Sequence, residues 1–304
     1  MSKLWALILF FYALPDASAQ GFRLKLLSSE GGEPVAFAHI ILKPSQSGFI
    51  SDINGVVLIP TGSLTNNDSI LLSAIAFDKK VLALNQLFPA GDSLASVKMS
   101  PAVYHLDAVN LKPPERVFEK KLGNWGSGVS GVKLSPLPGM EFAVKVGLKE
   151  TQVARLDEVK FQVLKSEEDT LWLRMNIYNL NSHGSPGSLI IRESVIFEVW
   201  EKSSEVVRDI SAYNLAVNHD FIVSIQFLPG GKAEMSGSSG SEKRAPVRKA
   251  TFNKDKKVEY GTRAVAFDDS GYFRTSFTGE WYQVKIMGSK LSPCIGVRAQ
   301  LSEY

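Results

Sequence analysis

The residues able to do chemistry are few and scattered. His39, His105, His183 and His219 share no metal-ligand spacing, and no His-Glu-x-x-His motif occurs, so neither a metal nor a cofactor is expected. Cys294, the single cysteine, follows Pro293 at a strand start with no basic neighbour, the setting of a small buried residue rather than a nucleophile. Ser130 is followed directly by Gly131, which breaks the Gly-x-Ser-x-Gly spacing of a nucleophile elbow. Glu167-Glu168-Asp169 and Asp268-Asp269 suit solvated turn tips better than two carboxylates held apart across a sugar. Asp52, Asn54 and Gly55 open like a calcium loop, yet Thr61 stands where the bidentate Glu belongs. No catalytic residue and no enzymatic activity are expected.

One set of side chains offers binding chemistry. Trp172 and Tyr178 fall on the polar-facing side of an alternating strand, with Arg174 between them. Aromatic rings on an open sheet face stack sugar rings while a guanidinium supplies hydrogen bonds, so Trp172, Arg174 and Tyr178 are the candidate ligand-binding residues. The alternative is that these rings, with Trp125, Trp200 and Trp281 at turns or strand ends, pack in a secondary core or a domain interface.

The elements that would carry these residues have a period of two. Phe22, Leu24 and Leu26 oppose Arg23 and Lys25 in a half-buried strand, followed by a turn at Glu30–Pro34 and a second strand over Val35–Leu42. Asp52-Ile53-Asn54-Gly55 predicts a two-residue hairpin turn before Val56–Ile59. Ile70–Phe77, Val97–Met99 and Val109–Leu111 add short strands. Lys112-Pro113-Pro114 reads as a junction, and the stretch onward to Leu134 as a Gly- and Ser-rich loop. Clean alternation then resumes at Val159–Val163, Leu171–Tyr178, Phe221–Phe227, Tyr282–Ile286 and Ile295–Leu301, each with one core face and one wetter face. Only the neighbourhood of Asp157 and Ser203–Val207 are candidates for helical turns.

Composition agrees with such a fold. Of 304 residues 44% are apolar and 21% charged, with a net charge of +3, which excludes a disordered chain and leaves no global basic excess for nucleic acid. Met1–Ala19 reads as a signal peptide: Lys3, an apolar stretch from Leu4 to Leu14, then Ala17-Ser18-Ala19 before Gln20. The apolar stretch is about half of a bilayer span, so the cleaved chain is not expected to cross a membrane. An exported protein with one thiol must be held by core packing rather than by disulfides. Residues 229–258 form a long basic loop, with Lys243, Arg244, Arg248, Lys249, Lys254, Lys256 and Lys257. Its plain reading is a solvated hairpin loop, and its functional one a contact for anionic glycans or an acidic surface.

Three blocks carry a resemblance. Glu33-Pro34-Val35-Ala36-Phe37-Ala38-His39-Ile40, then Ser51-Asp52-Ile53-Asn54-Gly55-Val56-Val57-Leu58-Ile59, then Asp68-Ser69-Ile70-Leu71-Leu72-Ser73 resemble, in order, the carboxypeptidase regulatory-like domain. This is the transthyretin-like seven-stranded sandwich at the front of many exported Gram-negative envelope proteins. Phe37 beside Ala38, and Val57 in place of an aromatic, depart from its pattern, while Leu106–Leu111 fits its last strand. The resemblance implies folding or interaction support and no catalysis. Leu171–Tyr178, His183–Gly187 and Val207–Leu215 loosely resemble a sandwich region that follows this module in other exported proteins.

The expected architecture is therefore all-β: a signal peptide at 1–19, a transthyretin-like seven-stranded sandwich at 20–112, and a larger jelly-roll or galactose-binding-like β-sandwich at 113–304. The expected role is a non-enzymatic binding or assembly module of the bacterial cell envelope, periplasmic or outer-membrane associated, with an envelope protein or glycan as partner. Carbohydrate binding through Trp172, Arg174 and Tyr178 is the alternative.

Overall fold

The computed structural model describes residues 21–45, 47–60, 68–88, 93–103, 114–125, 133–134, 138–163, 171–199, 204–229, 262–266, 270–275, 280–286, 289–290 and 292–304. The expected signal peptide, His105, the expected strand at Leu106–Leu111, Ser130, Glu167–Asp169, Trp200, Asp268-Asp269 and nearly all of the basic segment 229–258, expected to be a loop, lie outside them.

The front of the chain is a seven-stranded sandwich. Its strands are β1 (Gly21–Ser28), β2 (His39–Lys43), β3 (Gly48–Ile50), β4 (Val56–Pro60), β5 (Ser69–Ser73), β6 (Lys80–Ala83) and β7 (Leu94–Met99), with one helical turn, α1 (Leu84–Leu87), after β6. One sheet has the order β4-β1-β7 and the other β3-β2-β5-β6. Leu24 and Leu26 of β1, Ile40 and Leu42 of β2, Ile59 of β4 and Ile70 and Leu72 of β5 point inward and are fully buried. Each such side chain contributes about 1.5–3 kcal/mol by leaving water. The alternation seen in the sequence is the mechanism: every second residue joins this core.

The Asp52–Gly55 turn differs from the expected two-residue hairpin. β3 and β4 belong to different sheets, so the turn hands the chain across the sandwich instead of joining two paired strands. Asp52 Oδ1 accepts from the Asn54 and Val56 amides at 2.9 and 2.8 Å, and only Gly55 takes a left-handed φ, +70°. A Cβ at Gly55 would lie 2.5 Å from the Leu26 carbonyl oxygen, so the turn packs backbone on backbone and only glycine fits.

In chain order the remaining strands are β8 (Arg116–Gly123), β9 (Lys133–Leu134), β10 (Glu141–Val146), β11 (Gln152–Val163), β12 (Leu171–Leu180), β13 (Pro186–Leu189), β14 (Val195–Val199), β15 (Ser204–Asp209), β16 (Ala216–Val217), β17 (Phe221–Phe227), β18 (Thr262–Ala266), β19 (Gly271–Arg274), β20 (Tyr282–Gln283), β21 (Lys285–Ile286), β22 (Ser289–Lys290), β23 (Ser292–Pro293) and β24 (Ile295–Glu303). A seven-stranded sheet, β13-β12-β17-β10-β19-β20 with β14 also on β12, faces a five-stranded sheet, β15-β11-β24-β8 with β16 also on β11. Leu173, Met175, Ile177, Phe221 and Val223 from the first interdigitate with Leu156, Val159, Phe161, Val297 and Leu301 from the second. This is a sheet-on-sheet sandwich.

Three local expectations are corrected. Arg116–Gly123, expected to be loop, is the edge strand β8, paired in register with β24 from Arg116↔Glu303 to Gly123↔Gly296. It looks like loop because an edge strand buries little: of its eight residues Leu122 alone is buried. Ser204–Asp209 is strand β15, not a helical turn. Asp157 marks the bulge of β11, where the register with β24 slips between Leu156 and Glu158 and the Asp157 carbonyl turns to accept from the Ile210 amide at 2.8 Å. Among the described residues no helix is long and apolar enough to cross a membrane.

Candidate functional site

The face of the seven-stranded sheet that sequence alternation leaves to solvent is covered. All seven residues of β17 are buried, and in β12 so are Arg174, Asn176 and Tyr178, at 2%, 2% and 4% exposure. The register explains their convergence. Arg174 lies across from Gln226 and Asn176 from Ser224 on β17, while Glu141 of β10 also pairs with Gln226 and, on its other side, with Arg274 of β19. Alternation then projects these six polar side chains from one face.

Glu141 is the centre of this face and is completely buried. Its Oε1 accepts from Asn176 Nδ2 at 2.8 Å, from the Tyr178 hydroxyl at 2.9 Å and from the Ser224 hydroxyl. Its Oε2 accepts from Arg274 Nε at 2.8 Å and from Arg274 Nη2, so one edge of the guanidinium converges on a single carboxylate oxygen. Arg274 Nη2 also donates to the Tyr178 oxygen at 2.8 Å, and its guanidinium stacks on the Trp281 ring, 4.6 Å from the centroid. Burial pulls the Arg274 guanidinium down, but Glu141 and Tyr178 outweigh it and hold the group above its ordinary value. Burial, reinforced by the Glu141 charge, pushes the Tyr178 hydroxyl well above its usual range. The arrangement is a carboxylate fully consumed by donors, with no lone pair turned toward a substrate.

Arg174 does a different job. It is fully buried, and burial lowers it to about 10, with Glu141 and Tyr178 pulling the other way. Its Nη2 donates to the Phe37 carbonyl at 2.9 Å, and its Nη1 lies 3.1 Å from His39 Nε2 and donates to Gln226 Oε1 at 3.4 Å. Phe37 and His39 belong to the front sandwich. Around this polar contact Phe37, Ile50 and Leu228 form a small buried cluster with Ala36, Trp172 and Ile196, and the rings of Phe37 and Trp172 are 5.9 Å apart. Phe37 holds a φ of +53°, rare for an aromatic residue, and that turn places its carbonyl against the guanidinium and its ring on Trp172. Beside Arg174, His39 is 2% exposed, and burial, then Arg174 and Arg274, keep its pKa well below 6.5.

The predicted binding set therefore does come together on one face, but not as an open platform. Tyr178 is sealed beneath Trp281, the two rings 5.6 Å apart, Arg174 is enclosed, and Trp172 is part of the joint between the sandwiches. Sugar stacking needs exposed ring faces, and the rings here are occupied by protein. Of the other candidates, His183 and His219 are exposed in loops, the latter with Nε2 at 2.6 Å from Asn179 Oδ1, and Cys294 is buried with Sγ 3.9 Å from the Asn124 carbonyl. Among the described residues no three His, Cys, Asp or Glu side chains gather as a metal site. Glu141 and Arg274 were not singled out from the sequence. The alternation of Phe142, Val144 and Val146 is the signal that would have placed Glu141 on the covered face.

A second cluster lies on the outer side of the five-stranded sheet. The Trp125 ring lies over Gly296 of β24, its Nε1 donating to the Leu122 and Val297 carbonyls at 2.9 and 3.1 Å. Lys121, Lys160 and Arg298 surround it at 5.0, 5.4 and 5.9 Å from the centroid, and Lys160 is tied to Glu205 at 2.7 Å and Arg298 to Glu158 at 3.2 Å. A glycine in a strand leaves a gap, and here an aromatic ring fills it.

No protein-family model matches the chain, and no curated protein sequence matches it.

Proposed function

We propose that this protein is a non-enzymatic binding or assembly module of the bacterial cell envelope, exported by its first nineteen residues, whose front unit is a carboxypeptidase regulatory-like sandwich. The observation that carries this reading is the use made of the buried polar face. Its carboxylate and two guanidinia, the groups best suited to chemistry, are spent on internal hydrogen bonds and on the contact between Arg174 and the front sandwich. Two sandwiches joined through Arg174 and the Phe37–Trp172 cluster suit recognition, because a joined pair needs less ordering when a partner binds. The seven strands of the front unit, in sheets of three and four, support the family resemblance of its three motif blocks.

The test is fractionation of Gram-negative cells expressing the full chain with a C-terminal tag, combined with cross-linking in intact cells. The reading expects a mature protein beginning at Gln20 in the periplasmic or outer-membrane fraction, with a discrete cross-linked adduct. An uncleaved protein in the cytoplasm, or a processed protein that yields no adduct, overturns it.

A further inference from the structure

The front sandwich has two outer faces with different fates. The outward residues His39 and Ile50 of its four-stranded sheet are buried at the joint with the larger sandwich. The three-stranded sheet lies on the opposite side of the sandwich core, and its outer face is open. The register maps that face. Arg23 of β1 stands between Leu58 of β4 and Leu94 of β7, and Lys25 stands between Val56 and Ser96 one row along. Lys98 follows beside Leu27. Arg23, Lys25 and Lys98 are exposed, and Leu58 and Leu94 are 53% and 61% exposed. No outward-facing residue of these three strands is acidic. Lys80, whose ammonium donates to the Lys98 carbonyl at 3.1 Å, brings a fourth cation to the β7 side.

We infer that this face docks on an anionic lipid surface. Two leucines that remain more than half exposed on either side of an arginine are costly in water, and they gain where acyl chains lie one side-chain length below phosphates. The cations supply the complementary charge, each roughly one kcal/mol near an anionic membrane, which is about fivefold in partitioning. The inference rests on the binding-module reading and names its partner.

The test is sedimentation of the purified full chain with vesicles of phosphatidylglycerol and phosphatidylcholine in equal parts, and with phosphatidylcholine alone. The wild type is expected to sediment only with the anionic vesicles and to be released by salt. R23Q/K25Q/K98Q is expected to lose about a hundredfold in partitioning, at about fivefold per cation, and L58S/L94S to lose binding as well. All five positions are exposed, and unchanged thermal melts show that the variants fold. The Lys- and Arg-rich segment 243–257 is intact in every variant, so equal binding by the triple variant overturns the inference and assigns the lipid contact elsewhere. Equal binding by L58S/L94S overturns it too, leaving an ionic contact only. A wild type that stays in the supernatant overturns it and leaves the face to an acidic protein surface, while the fractionation result stands or falls separately.

Discussion

Arg174 of the larger sandwich donates to the carbonyl oxygen of Phe37 in the front sandwich at 2.9 Å, and both residues are almost completely buried. A guanidinium placed in a joint between two β units is expensive to bury, and here Phe37 and Gln226 accept from its Nη2 and Nη1, His39 Nε2 lies 3.1 Å from Nη1, and Nε finds no hydrogen-bond partner among the described residues. The joint is therefore specific in direction as well as apolar: only one placement of the front sandwich offers Arg174 its carbonyl.

Replacing that side chain should loosen the joint. R174M keeps the volume but strands the Phe37 carbonyl, and a buried acceptor without a donor costs about 1–3 kcal/mol. The expected result is a lower melting temperature and faster hydrogen exchange in the His39–Lys43 strand, with the larger sandwich core still protected. Unchanged exchange there would refute the role given to Arg174.

Acid should act at the same place. His39 is held neutral in the fold by burial and by Arg174 and Arg274. Its native pKa lies below the 6.5 of the unfolded chain, so between the two the unfolded state binds a proton that the native state does not. Stability is then full above 6.5 and falls as the pH drops through that window, by up to about 1.4 kcal/mol per pH unit. Urea midpoints measured from neutral pH downward should decline for the wild type. H39Q, which keeps an acceptor and does not titrate, should show a flatter profile in that range.

At the centre of the covered face, E141A leaves Arg274 buried without its carboxylate, and breaking such a pair from one side costs about 3–5 kcal/mol. E141L/R274M removes both charges and is expected to recover only part of that loss in urea titrations, because Asn176, Tyr178 and Ser224 lose the acceptor they share. A double variant as stable as the wild type would show that these three hydrogen bonds contribute little.

On the other side of the molecule, G296A puts a methyl 2.5 Å from Trp125 Cδ1 and Nε1. The ring must leave its two carbonyl acceptors or the strand must shift, either at about 1–3 kcal/mol. Tryptophan emission should redden and the melting temperature fall. A variant with wild-type emission would mean that the ring does not rest on this glycine.

Which of these features the sequence discloses follows from range. Period-two alternation is a local property of one strand, so it assigns Leu171, Leu173, Met175 and Ile177 to the core, where they are found. It says nothing about what lies against the opposite side. Trp172, Arg174 and Tyr178 look solvent-facing because the residues that cover them, Phe37 and Trp281 among them, are more than a hundred positions away in the chain. Arg116–Gly123 was missed for the converse reason, since an edge strand with polar residues on both faces has almost no pattern to read. Glu141 and Arg274 are unremarkable as single residues in short strands and acquire meaning only through the pairing of β10 with β19.

The covering of the four-stranded sheet by the larger sandwich bears on heredity as well as on stability. Transplanting residues 21–103 into another protein would carry along a buried His39, an Ile50 side chain fitted to Leu228, and a Phe37 backbone bent to meet an arginine that stays behind. Such a graft would arrive with a sticky, strained flank. The two sandwiches are thus tied to each other, and a chain stripped of the front unit would leave the Arg174 guanidinium without the main-chain acceptor that Phe37 supplies.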